Sequence, residues 1–457
     1  LGPLLLSDIP AAVAPPGPTD WGSDSRSITP KTWFVPIKGE TYDGNDFIEA
    51  AMKAGAAGFL YDQAAAGKVP ADLKSRGIMV TDGLQAYQAI AAGWRSTLTG
   101  TKIAAITGSV GKTTTKEMIG FIFRHAGPCF STAGSFNNEI GVPKSLLQIS
   151  REHKYAMLEF GAKRLGNIRF LCEMAKPDVT ILLNVGVAHL GIFGSLENLR
   201  NTKLEIFRNS PAHAVLVANH DDPKILAGAR ETGKKVISFG RDPAATVAVR
   251  QTELRPELGG TDMQIAYAGR IFSFMLNSCH SAFVTNAAAA LAAAVAAGIP
   301  METAVEGLKS FEPVAGRFRV VKGKNLIVID DTYNANPDSM KAGLSSVFSM
   351  FPGKKINLML GDMLELGSDS PKMHEEIGHF LQTFPVHRLA TVGTEAHLIH
   401  DGIGKRPDAG LRFGNVREAT EQAAAVLDGA DVLFIKGSNG IRLTQFISHL
   451  QSTGALS

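Results

Sequence analysis

The chain has 457 residues, of which 45% are hydrophobic and 19% charged, and its formal net charge is +3. That length exceeds one ordinary core and suggests about three domains, while the balanced composition excludes disordered and fibrous classes. No block of Lys or Arg marks a nucleic-acid surface, and Cys129, Cys172 and Cys279 form neither a CxxC pair nor a disulfide framework, which fits a reducing cytoplasm.

The opening apolar run is too short for a signal segment, and no apolar run approaches the ~18 residues of a membrane span, so neither export nor membrane insertion is expected. From Thr32 to Val80 short apolar runs alternate with glycine-bounded turns, and residues 50–58 and 84–98 read as helices. A small α/β domain over residues 1–98 is therefore expected.

Residues 102–107 form a buried-strand pattern, followed by a glycine-rich turn and a helical pattern over 113–125 that Gly127 and Pro128 stop. Apolar runs at 155–160, 179–185, 214–218 and 236–239 are separated by helical stretches, the rhythm of a parallel βαβ sheet. An alanine-rich helix over 286–297 ends at Gly298 and Pro300, closing a central domain over 99–312. After Pro313 the alternation restarts, with runs at 326–329, 356–360, 388–392 and 432–435, so a third, doubly wound α/β domain is expected over 313–457.

Gly108-Ser109-Val110-Gly111-Lys112-Thr113 joins the first central strand to a helix. Backbone N–H groups of such a turn can surround phosphate oxygens, with Lys112 on the β/γ-phosphates and the Thr113 hydroxyl on magnesium. Ile106 stands where the full phosphate-loop pattern has glycine, so this is a shortened variant. Glu159 and His189 both follow apolar strands, where open parallel sheets bind ligands. Glu159 can ligate a hard cation or merely cap the strand end, and His189 can be a metal ligand, a phosphate contact or a solvated loop residue. Lys203, on a helix whose Leu199, Ile206 and Phe207 face inward, reads as a surface lysine.

Taken together with Asp24-Ser25-Arg26, Tyr42-Asp43-Gly44, the stretches 106–118, 136–143 and 184–193, and the strings at 330–339 and 360–367, these residues resemble the Mur ligase family over nearly the whole chain. The resemblance implies three α/β domains: a uridine-nucleotide substrate domain, a central P-loop ATP-binding domain, and a Rossmann-like domain for nucleotide and the incoming amine. It also implies an ATP-dependent amide ligase, acting as a cytoplasmic monomer, that adds D-alanyl-D-alanine to a UDP-N-acetylmuramoyl-tripeptide through an acyl phosphate. Two magnesium ions are implied, held by Thr113, Glu159, His189 and Lys203 as its carbamate. Asn137 and Asn138 would lie near the transferred phosphate. The loop residues Gly108 to Thr113 with Thr114, together with Asn286, Arg317, Asp331, Tyr333 and Asn336, would hold the nucleotide; Ser25, Arg26, Asp43 and Gly44 would hold the uridine diphosphate. For Asn336 the residues alone leave open plain turn chemistry before Pro337. Three positions depart from the pattern: Asn45 replaces a histidine, His280 lies six residues before Asn286 instead of four, and Asn439 replaces an arginine. Rival readings are another amide ligase on the same scaffold and a phosphate-loop ATPase or GTPase switch.

Overall fold

The computed structural model describes residues 21–39, 41–132, 134, 136–186, 193–404 and 410–456. Three sheets follow one another along the chain. The first is parallel throughout, in the order β1 (Trp21–Gly22), β2 (Trp33–Phe34), β3 (Gly58–Asp62) and β4 (Gly77–Val80). Its first helix is shorter than the sequence suggested, Ile48–Lys53, because the chain unwinds at Ala54 and Gly55 takes a left-handed φ of 99° before β3. The second helix, Gly83–Thr97, matches the expectation and is capped by Asp82, whose carboxylate accepts the Gln85 N–H.

The central sheet contains β5 (Lys102–Thr107), β6 (Cys129–Ser131), β7 (Tyr155–Glu159), β8 (Val179–Leu182), β9 (Val215–Asn219), β10 (Val236–Gly240), β11 (Val247–Arg255), β12 (Gly260–Tyr267) and β13 (Arg270–Leu276). Its order is β13-β12-β11-β10-β9-β8-β5-β7-β6. Every neighbouring pair from β6 across to β11 is parallel, as expected, while β12 is antiparallel to both β11 and β13 and adds an antiparallel extension at that edge. Ala268 and Gly269, with φ of 49° and 75°, make the tight turn between these last two strands. The alanine-rich helix, Ser281–Ala296, starts earlier than expected because the His280 ring accepts the Ala282 N–H at its N-terminus. Its small side chains let it lie close against β8 to β11 and the helix Lys112–Ala126, filling the core.

The last sheet, β14 (Arg319–Lys322), β15 (Ile327–Asp331), β16 (Ile356–Gly361), β17 (Val386–Val392), β18 (Leu411–Phe413) and β19 (Val432–Lys436), has the order β14-β15-β19-β16-β17-β18. Only β14 is antiparallel. Both larger sheets therefore have a point where the chain order reverses, at β5 between β8 and β7 and at β19 between β15 and β16, and open α/β sheets bind ligands at the carboxyl ends of strands there.

Candidate active site

A cavity of about 240 Å³ lies where the carboxyl ends of these two sheets face each other. One wall is Ser109 to Thr114 with Asn137, Glu159 and Asn286; the other includes Arg317, Asp331, Tyr333, Asn336 and Lys436.

The phosphate loop leaves β5 and turns into the helix at Gly111, whose φ of 84° is left-handed and whose α-carbon faces Asn286 so closely that a Cβ would come within 2.8 Å of its Oδ1. Glycine is required there twice over. The sequence suggested that the loop N–H groups are free for phosphate, but two are already used. Asn184, just beyond β8, accepts the N–H groups of Ser109 and Val110 through its Oδ1 at 3.1 and 2.9 Å, and its own amide donates to the Val110 carbonyl. The remaining donors are those opening the helix, which have no intrahelical acceptors. Lys112 is folded back on this loop, donating to the carbonyls of Gly108 at 2.7 Å and Ser109 at 3.3 Å. Burial lowers its pKa, the Glu159 carboxylate opposes that, and Arg317 adds to it.

Glu159 ends β7 and is almost fully buried. Its two oxygens accept the Thr113 hydroxyl at 3.0 Å and the Asn137 amide at 2.9 Å. Asn138 takes a different role, its Oδ1 accepting the N–H groups of Ile140 and Gly141 at the start of the next helix. Lys203 is the clearest correction: it is 2% exposed. Burial and the Lys112 charge bring its amine down to about 7, against the pull of Glu159. The signal lay in the sequence, since Lys203 is four residues from both Leu199 and Phe207 and so falls on the inward stripe. His189 lies outside the described residues.

From the last sheet, Arg317 reaches across to donate from Nη2 to the Thr113 hydroxyl at 3.1 Å, with its guanidinium 3.9 Å from the centre of the Tyr333 ring. Its Nε is buried and has no hydrogen-bond partner among the described residues. Asp331, at the end of β15, is directly opposite Lys436 at the end of β19 and the two are ion-paired at 2.7 Å, while its other oxygen accepts the Phe318 N–H at 3.2 Å. Burial raises the Asp331 pKa and lowers that of Lys436. Asn336 caps the helix Pro337–Met350 through a reciprocal pair with Ser339, and it also lines the cavity.

Residues 106–294 match the Mur ligase middle domain, 316–439 the Mur ligase glutamate ligase domain, and 21–95 the Mur ligase family catalytic domain. The UDP-N-acetylmuramoyl-tripeptide--D-alanyl-D-alanine ligase of Bacillus subtilis (strain 168) is 33% identical over 434 residues, which cover 94% of this chain and 92% of that protein. The chain belongs to the Mur ligase family. The equally named ligase of Escherichia coli (strain K12) is 30% identical, covering 94% and 93% of the two chains. Among solved structures, MurF from Acinetobacter baumannii superposes with a TM-score of 0.85 at 29% identity, over 94% of this chain and 93% of that one. MurF ligase from Thermotoga maritima in complex with ADP gives 0.83 at 28%, over 95% and 98%.

A second cavity of about 270 Å³ adjoins the first in this Mur ligase, sharing Tyr333, Asn334 and Asn336 and adding Leu364 to Leu366 and Ser438 to Gly440. Ser438 ties its walls together, accepting the Leu364 N–H at 2.9 Å and donating its own N–H to the Asp362 carbonyl at 3.0 Å. Neither Ser438 nor Lys436 was assigned a role from the sequence, because their partners are a hundred and more residues away in β15 or some seventy away beyond β16.

The proposed uridine residues lie apart from both cavities, on the first sheet's loops. Arg26 is exposed and paired with Asp24, whose carboxyl it holds down at about 2 through that hydrogen bond. Ser25 lies beside it in the short turn Ser25–Ser27. Asp43 accepts the Asn45 backbone and side-chain N–H groups, and the α-carbon of Gly44 packs on Ile37 with no room for a Cβ. Asn45 is buried and its amide is spent inside the domain on Asp43 and Asp62.

Proposed function

We propose that this chain is an ATP-dependent ligase that joins the amine of D-alanyl-D-alanine to the terminal carboxylate of a UDP-N-acetylmuramoyl-tripeptide. The observation that carries the reading is the pair of adjoining cavities: one is walled by a phosphate loop and by Arg317, whose buried Nε has no partner among the described residues, and the other opens from the same Tyr333 to Asn336 segment. Nucleotide would occupy the first and the amine acceptor the second.

The residues suit phosphoryl transfer to a carboxylate. The helix N-terminus and Lys112 can hold the phosphates, and Arg317, already desolvated and oriented by Tyr333, can meet charge that develops on the transferred group. A carboxylate oxygen attacks the γ-phosphorus and ADP leaves; the amine then attacks the acyl carbon, loses a proton, and phosphate departs with the bridging oxygen. The Arg317–Thr113 bond holds the start of the last sheet against the phosphate loop, and closure there would keep water from the acyl phosphate.

Among the described residues no group of three or more His, Cys, Asp or Glu side chains is poised to hold a metal. The donors nonetheless fit magnesium, which favours a hydroxyl, a carboxylate and substrate phosphates, here Thr113 and Glu159 with ATP. When bound, the ions would offset repulsion between the two reacting anions. Lys203 supports a further anionic oxygen: burial brings its amine down to about 7, so a substantial neutral fraction exists at neutral pH and can take up CO2 as a carbamate. Ser25, Arg26, Asp43 and Gly44 are proposed for the uridine diphosphate. A cytoplasmic monomer is part of the same proposal; no helix among the described residues is long and apolar enough to cross a membrane.

The test is ADP release with the uridine-linked tripeptide and a panel of amines. Release that requires D-alanyl-D-alanine is expected; release without any amine, or with glutamate or a diamino acid instead, overturns the reading.

A further inference from the structure

Lys116 sits one turn into the helix Lys112–Ala126 with its side chain wholly buried. Taking an ammonium out of water is costly unless every proton finds an acceptor, so an apolar residue would be the cheaper filling for that space. The ammonium donates to the carbonyls of Thr132 at 2.6 Å and Gly134 at 3.3 Å, and it is ion-paired with the Glu117 carboxylate at 2.9 Å.

The two carbonyls belong to the chain just after it leaves the edge strand β6, on its way to Asn137. Asn137 is held on its other side by β7 and the residues that follow it. Its carbonyl accepts the Gly161 N–H at 2.7 Å, its amide donates to Glu159, and a Cβ on Gly161 would come within 2.9 Å of its Oδ1. Thr113 is bonded to Glu159 and Glu159 to Asn137, while Lys116, three residues along the same helix from Thr113, holds the carbonyls of Thr132 and Gly134, which shortly precede Asn137 in the chain.

We propose that Lys116 is a positioning residue for the phosphoryl-transfer step, fixing the Asn137–Glu159 pair relative to Thr113; this rests on the ligase reading above. Lys116 touches neither cavity. The phosphate loop, on whose Gly108 and Ser109 carbonyls Lys112 rests, keeps its own support in Asn184. The loss of Lys116 is therefore felt in turnover and not in nucleotide affinity.

The experiment is a double-mutant cycle of Lys116→Met and Asn137→Ala, with kcat from ADP release, ADP affinity from calorimetry and the melting temperature recorded for each protein. Misplacement of a reacting group by about 1 Å costs on the order of 10²-fold, so Lys116→Met should lower kcat by about 10- to 100-fold with ADP affinity within about threefold. The double variant should be no slower than the slower single one, since both changes break the same link. Multiplying losses, a wild-type kcat in Lys116→Met, or an ADP affinity that falls by the same factor as kcat overturns the proposal. If Lys116→Met does not fold, Lys116→Arg, which keeps the charge and the donors but changes their reach, takes its place in the cycle with the same outcomes. Wild-type turnover is measured first: its absence overturns the ligase reading and this role together, whereas its presence with multiplying losses overturns this role alone.

Discussion

The Nη2 of Arg317 lies 3.1 Å from the Oγ1 of Thr113, joining two residues 204 positions apart. This bond ties the start of the last sheet to the phosphate loop, and the Nε on the same guanidinium, without a partner among the described residues, is a buried donor whose desolvation costs about 1–3 kcal/mol until something accepts from it. A phosphate oxygen would do so. Arg317→Lys keeps the charge but loses the planar fork, and kcat for ADP release should fall by on the order of 10²-fold. Unchanged turnover would reduce Arg317 to a staple between domains.

Lys203→Ala should lose nearly all activity, and short carboxylic acids added to the assay should restore part of it, since they return the oxygens that a carbamate would present. In the wild type, activity should rise with bicarbonate and with pH through about 7, because only the neutral amine reacts with CO2 and the buried amine is deprotonated above that value. Full activity of the alanine variant without any additive would make Lys203 a buried packing residue.

The fold was legible wherever local pattern decides. The buried runs that became β5, β7 and β19 stood out because parallel strands covered on both faces read as continuous apolar stretches. The β12–β13 extension was not legible, since its turn at Ala268 and Gly269 carries a weak signal and its strands mix polar with apolar positions. In the site, the phosphate loop and Glu159 were readable from their places at strand ends. The Asn184 clamp, the Asp331–Lys436 pair and the Arg317–Thr113 bond were not, because each depends on a partner brought close only by the tertiary fold. The residues alone made Lys203 a surface lysine for a different reason: its place on an apolar stripe fits snorkelling to solvent as well as burial, and the fold decides for burial.

Asn336 combines a cap with a place in both cavities, so the two roles separate by substitution. Asn336→Ala should cost about 1 kcal/mol of stability in urea unfolding through loss of the capping pair with Ser339. Asn336→Ser retains a capping oxygen and should stay within about 0.5 kcal/mol of wild type. If that stable serine variant still loses turnover, the amide contributes to the site as well; equal stability of all three proteins would show that the capping pair contributes nothing.

The central claim is that the carboxylate accepts the terminal phosphoryl group before the amine arrives. It is tested by supplying the uridine-linked tripeptide with its terminal carboxylate labelled with ¹⁸O, running the reaction with ATP, magnesium and D-alanyl-D-alanine, and analysing the released phosphate by mass spectrometry. Transfer through an acyl phosphate places one labelled oxygen in each phosphate formed. Phosphate carrying no label would contradict it.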